Sequence, residues 1–82
     1  MESELDTLAM SRWLDIVRNH VRDMRQQAGM TQADLGESLG VSRQTINSIE
    51  AGRYLPSLPL ALRMARLFRV GVHEIFEMEK ED

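Results

Sequence analysis

The stretch QADLGESLGVSRQTINSI, residues 32–49, decides the fold. It reads as two short helices folded around one glycine. The first runs from Gln32 to about Leu39, Gly40 makes the break, and the second runs from Arg43 to about Glu50. Leu35, Leu39, Val41, Ile46 and Ile49 are spaced to lie on the inner faces of two helices that cross steeply. The outer face of the second helix keeps Arg43, Gln44, Thr45, Asn47 and Ser48. These short and medium side chains are rich in hydrogen-bond donors and acceptors. Such a set suits the reading of base edges in a major groove.

Helical signals continue on both sides of this pair. Upstream, Leu14, Val17, Val21, Met24 and Ala28 recur at alternating steps of three and four, with Trp13 and Ile16 beside them. The spacing predicts a helix from about Ser11 to Ala28, with Ser11 as N-cap and Gly29 as C-cap. Thr31 then caps the next helix, and Asp34 places a carboxylate near its positive end. Gly36 falls inside that helix, where it costs about 1 kcal/mol against alanine, so its use is to let the two helices approach closely. Gly40 is placed for a positive φ, Ser42 caps the second helix and Gly52 ends it. Downstream, Arg53-Tyr54-Leu55-Pro56 reads as a loop and Ser57 as an N-cap with Pro59 in the first turn. Leu58, Ala61, Leu62, Ala65 and Phe68 are expected on the inner face of a fourth helix, and Val72, Ile75 and Phe76 on a fifth running to about Glu77. No stretch reads as a strand.

An 82-residue chain makes one small domain with a marginal core. The absence of cysteine excludes a disulfide framework and a cysteine metal site. No apolar run approaches the roughly 20 residues of a membrane span. The acids Glu2, Glu4, Asp6 and Asp15 give the start of the chain the wrong charge for a targeting peptide, so a cytoplasmic protein is expected.

A net charge of −3 is unusual for a chain that meets phosphates, but the charge is unevenly spread. Both ends are acidic. Between them lie Arg18, Arg22, Arg25, Arg43, Arg53, Arg63, Arg66 and Arg69 against Asp23, Asp34, Glu37 and Glu50, a basic middle. Non-specific affinity for nucleic acid should therefore be modest.

From His20 to Phe76 the chain resembles the small helix-turn-helix regulators related to phage repressors, the Xre or Cro/C1 type. The resemblance is carried by VRDMRQQAGMTQADLGESLGVSRQTINSIEAGRYLPSLPLALRMA and, more loosely, by VHEIF. It is specific because MTQADL, LGVSRQTI, IEAGRYLPSL and ALRMA all fall in register. It implies an all-α, compact five-helix phage-repressor-like DNA-binding domain, here with an N-terminally extended first helix. It also implies that the helix at 43–50 enters the major groove. Arg43, Gln44, Thr45 and Ser48 then match the base readers, and Asn47 reaches a base or a phosphate. Gln32, Arg53 and Tyr54 match backbone contacts, and Ser42 beside them is a candidate phosphate contact as well as a cap. Arg25 and Glu50 match a structural ion pair behind the reading helix. The chain departs from the pattern at Gly36, where alanine is usual, at Arg69, where a glycine usually ends the fourth helix, and at Gly71, where serine is frequent. Residues 1–17 have no counterpart in the minimal family domain.

Each feature has a plainer reading. Arg43 and Gln44 on an arbitrary helix would be a solvated face, and only their register makes them readers. Gln32 and Ser42 serve as helix-start residues even without a phosphate, although free N–H groups at a helix start do attract anions. His20 and His73 make no metal site without further ligands, Met24, Met30 and Met64 read as core filler, and no nucleophile has a positioned base. No cofactor, metal, membrane or small-molecule substrate is expected, and no enzymatic activity. Trp13, Leu14, Ile16 and Val17 have two readings. They fold back on Ile75 and Phe76, or they form a helical homodimer seam that sets two reading helices about 34 Å apart on an inverted repeat.

The expected organisation is an acidic, frayed segment at 1–10, a helix-turn-helix domain at 11–77 and an acidic tail at 78–82. The expected function is that of a sequence-specific double-stranded DNA-binding regulator, a homodimeric repressor without a separate sensor domain. The alternative is an antitoxin or immunity-type module that binds a protein partner through its acidic ends and DNA secondarily. A broadly non-specific nucleoid binder is disfavoured by the net negative charge.

Overall fold

The computed structural model describes residues 16–79. Along them run β1 (Val17–Asn19), α1 (Val21–Gln27), α2 (Gln32–Leu39), α3 (Arg43–Glu50), α4 (Leu58–Phe68), α5 (Val72–Ile75) and β2 (Phe76–Met78). No helix among these residues is long and apolar enough to cross a membrane.

The central pair forms through local chemistry. The Thr31 hydroxyl accepts from the Asp34 N–H at 3.0 Å while the Asp34 carboxylate accepts from the Thr31 N–H at 2.9 Å, a reciprocal cap that starts α2. Hydrogen bonding from Thr31, first from its N–H and then from its side chain, holds the Asp34 carboxyl below its ordinary value. Gly40 ends α2 at φ 75°, a left-handed conformation that side chains resist. The Ser42 hydroxyl then accepts from the Thr45 N–H at 3.0 Å and starts α3. Ser57 caps α4 through the Leu60 N–H at 3.3 Å.

Gly36 is buried where α2 meets the turn. A Cβ there would lie 2.7 Å from the Val41 carbonyl oxygen and 3.2 Å from the Ser42 carbonyl carbon, both backbone atoms that cannot swing aside. Gly36→Ala should therefore lower stability by about 1–3 kcal/mol through overpacking, against the gain of about 1 kcal/mol that helix propensity alone would give. Chemical denaturation decides between the two signs.

One core joins the helices: Val21, Leu35, Leu39, Ile46, Ile49, Leu60, Met64, Ala65 and Ile75, with Met24, Met30, Val41, Phe68, Val70, Val72 and Phe76 packed around it. The inner face of α4 differs from the expected one. Leu60, Ala61, Met64 and Ala65 are buried, whereas Leu58 and Leu62 are 67% and 51% exposed. Ala61, Ala65 and Phe68 fit either face. The buried volume of Leu60 and Met64 rotates the helix so that Leu58 and Leu62 point outward.

The ends of the domain are also corrected. The first helix begins at Val21 rather than continuing back through Val17, so the extended first helix is not found across residues 17–20. Residues 17–19 pair antiparallel with 76–78, in the register Val17↔Met78, Arg18↔Glu77 and Asn19↔Phe76. The fifth helix accordingly stops at Ile75, short of the expected Glu77. The His20 N–H donates to the Ile75 carbonyl at 2.8 Å, and the Glu79 N–H donates to the Ile16 carbonyl at 2.7 Å. Pairing satisfies backbone groups that two separate helix ends would leave open. Across the pair, Arg18 meets Glu79 at 2.8 Å and His20 meets Glu77 at 3.1 Å. Of the suggested dimer seam, Trp13 and Leu14 lie outside the described residues. Ile16 and Val17 run against the C-terminal strand rather than along a helix continuous with α1.

α4 ends on Arg69 at φ 59° and ψ 45°, so an arginine takes the left-handed position that glycine usually fills. At the start of α5 the Gly71 N–H donates to the Glu74 carboxylate at 2.7 Å, which caps the helix without a residue-71 side chain.

Candidate nucleic-acid interface

Behind α3 sits one buried carboxylate. Glu50, with a fully buried side chain, accepts from Arg25 Nε at 2.6 Å and Arg25 Nη2 at 3.1 Å. Arg25 also donates through Nη1 to the Met30 carbonyl at 2.9 Å, so α1, the loop before α2 and the end of α3 share one guanidinium. Gln32 Nε2 at 3.1 Å and Arg22 Nε at 3.3 Å complete the ring of donors around Glu50. Burial pushes the Glu50 carboxyl up, but the hydrogen bonds from Arg25, Gln32 and Arg22, with the charge of Arg25, outweigh it and leave the group below its ordinary value. Arg25 is in turn held above its ordinary value, chiefly by its hydrogen bonds to Glu50.

A second brace comes from β1. Asn19 Nδ2 donates to the Ile49 carbonyl at 2.9 Å, and Asn19 Oδ1 accepts from the Val21 N–H at 3.2 Å. One asparagine thus ties the start of α1 to the last turn of α3.

This scaffold holds α3 with its polar side outward. Arg43, Gln44 and Asn47 are exposed, while Thr45 and Ser48 are partly covered. Gln44 sits between two shallow depressions. One is lined by Gln32, Arg43, Gln44 and Asn47; the other by Ser42, Gln44, Thr45, Ser48, Arg53 and Tyr54. The structure therefore brings onto one surface all nine residues that the sequence nominates for bases and phosphates. Their side chains are differently engaged. Ser42 Oγ is committed to its cap and lies 2.9 Å from Thr45 Oγ1, and Gln32 reaches Asn47 Oδ1 at 3.3 Å. Among the described residues, Arg43 and Arg53 meet no carboxylate at ion-pair distance, whereas Arg18, Arg22 and Arg25 each do.

Sequence reading did not single out Asn19 or Arg22, whose roles depend on a partner about thirty residues away. Nor did it place Arg63, Arg66 and Arg69 together; with Ser38, Leu39 and Leu67 they line a separate depression beside the end of α2. Only the step of three between these arginines hints at the cluster.

A tight two-helix unit with one helix presented polar side out defines a helix-turn-helix DNA-binding domain. A family model described as "Helix-turn-helix" matches residues 21–75, and the chain belongs to that family of transcriptional regulators, of the Xre or Cro/C1 type. Among its relatives, an uncharacterized HTH-type transcriptional regulator, YgzD of Bacillus subtilis, is 41% identical over 66 residues, which cover 80% of this chain and 100% of that one. An uncharacterized HTH-type transcriptional regulator of Methanothermobacter thermautotrophicus is 46% identical over 66 residues, covering 79% and 96%. The fold is shared with a solved putative DNA-binding protein from Bacteroides fragilis, at a TM-score of 0.69 and 22% identity over 76% of this chain and 100% of that one. The restriction-modification controller protein C.AhdI from Aeromonas hydrophila superposes at a TM-score of 0.60 with 26% identity, over 66% and 78% of the two chains.

Proposed function

We propose that the protein is a sequence-specific repressor that binds double-stranded DNA as a homodimer on an inverted repeat, with α3 in the major groove. The observation that carries this reading is the α3 surface itself. An exposed Gln44 stands between two depressions, with Arg43 and Arg53, which meet no carboxylate at ion-pair distance among the described residues, on either side. Arg43 grips guanine at O6 and N7, and Gln44 pairs with adenine at N6 and N7. Thr45, Asn47 and Ser48 add shorter contacts. Arg53 and Tyr54 hold the flanking phosphates through their side chains and Gln32 through its backbone N–H at the start of α2, with Ser42 fixing the start of α3 between them. A repressor needs no more than this, since occupying a promoter excludes the polymerase.

A two-fold dimer gives the symmetry that an inverted repeat requires. The exposed Leu58 and Leu62, one turn apart on α4, supply apolar surface for such a contact. Selecting bound sequences from a random DNA pool at fixed salt tests the whole reading. An enriched inverted repeat with half-sites about 34 Å apart is expected. Enrichment of a single asymmetric half-site would remove the dimer, and no enrichment would remove specific recognition.

Arg53→Ala should weaken binding to selected and random DNA alike. It should also reduce the slope of log affinity against log salt by about 0.9, the share of one phosphate. Titration at several salt concentrations reads both effects, and an unchanged slope would free Arg53 from that role.

A further inference from the structure

We propose that Gln32 fixes the polarity of the Asn47 amide, so that Asn47 turns its NH2 group to the groove and reads guanine in preference to adenine. This rests on α3 being the groove-reading helix and adds to it a base preference at one position.

The polarity is set by a buried charge. Glu50 Oε1 lies 3.1 Å from Gln32 Nε2, and an ionised carboxylate only accepts hydrogen bonds. Arg25 at 2.6 Å from the other carboxylate oxygen keeps that group charged. The Gln32 atom facing Glu50 is therefore the NH2 nitrogen and not the carbonyl oxygen. The same nitrogen lies 3.3 Å from the Asn47 side chain and has a second hydrogen to give. An Asn47 NH2 in that place would set donor against donor, so Oδ1 takes it. Two amides that are free to flip in isolation are thus locked in sequence, from Glu50 through Gln32 to Asn47.

What remains to meet DNA is Asn47 Nδ2 with two hydrogens, on an exposed residue lining the same depression as Arg43 and Gln44. Guanine offers two adjacent acceptors in the major groove, N7 and O6. Adenine offers N7 beside the N6 donor, which needs a carbonyl opposite it. Asn47 has its carbonyl turned toward Gln32, and reversing the amide breaks that bond. Gln44 makes no side-chain hydrogen bond among the described residues, so its amide stays free to suit either edge.

The test is selection from one random DNA pool, at one salt concentration, with the wild type, Asn47→Ala and Gln32→Met. Asn47→Ala identifies the position read, as the one whose preference disappears. There the wild type should favour guanine over adenine about ten-fold, within the range of a good side-chain–base pair. Gln32→Met keeps the length of the side chain but removes its polar end. It should keep the motif elsewhere while bringing guanine and adenine at that position to within about two-fold. Adenine preferred by the wild type, no position altered by Asn47→Ala, or a uniform loss of affinity in Gln32→Met with the guanine-to-adenine ratio intact would each overturn the proposal. A pool from which the wild type enriches nothing would remove the groove-reading function itself and this inference with it.

Discussion

Arg25→Ala is expected to destabilise the domain by about 3–5 kcal/mol, the usual consequence of stripping one partner from a buried ion pair. Glu50, whose side chain is fully buried, would keep only Gln32 and the largely exposed Arg22. The Met30 carbonyl would lose its donor as well. A loss of this size is a large fraction of the stability of any small domain. Arg25→Met combined with Glu50→Leu should recover much of it, because the unpaired charge is what costs most. Denaturant titrations of the single and double variants measure both.

The same site contributes to the acid dependence of stability. Glu50 binds its proton less tightly folded than unfolded, so its contribution is present above the unfolded value near pH 4.3 and fades as pH falls through the lower folded value. Asp34 acts in the same direction through its bonds to Thr31. Glu50→Gln should flatten the loss of stability at low pH relative to the wild type. An identical acid limb in both proteins would show that Glu50 is not linked to it.

Ile46→Ala is the second large effect, at about 2–5 kcal/mol, the cost of a buried cavity plus lost transfer energy. Ile46 is fully buried within the core cluster that includes Leu35, Leu39 and Met64, directly beneath the exposed face of α3. The denaturation midpoint should fall with its slope unchanged, as expected when packing is lost without a change in the surface exposed on unfolding. A loss below about 1 kcal/mol would mean that the core collapses to fill the gap or that α3 is anchored elsewhere.

What was legible in the chain was what local chemistry decides. Thr31, Gly40 and Ser42 each act on their own neighbourhood, so the limits of α2 and α3 follow from a few residues. The start of α1 was not legible in that way. The apolar period runs on from Val21 back through Val17, and nothing nearby says that Val17 pairs with Met78, sixty-one residues away. Asn19 shows the same difficulty, because its bond to Ile49 exists only once β1 has been drawn across the domain. On α4, the alternation of leucines and alanines allowed two faces, and packing of Leu60 and Met64 chose between them.

The site divides similarly. The polar side of α3 could be read from spacing, because the apolar residues claim the other side. The pairing of Arg25 with Glu50 was legible only through resemblance to a family. The convergence of Arg22 and Gln32 on the same carboxylate depends on side-chain conformations that no spacing rule contains. The link from Gln32 to Asn47 has the same origin.

The most direct measurement is the affinity of the wild type and Gln44→Ala for a selected site and for random DNA, all at one salt concentration. Gln44→Ala is expected to lose about 1–3 kcal/mol on the selected site and to relax base preference at one position, with little change on random DNA. Equal weakening on both DNAs, or none on either, would contradict a groove-reading role for the exposed face of α3.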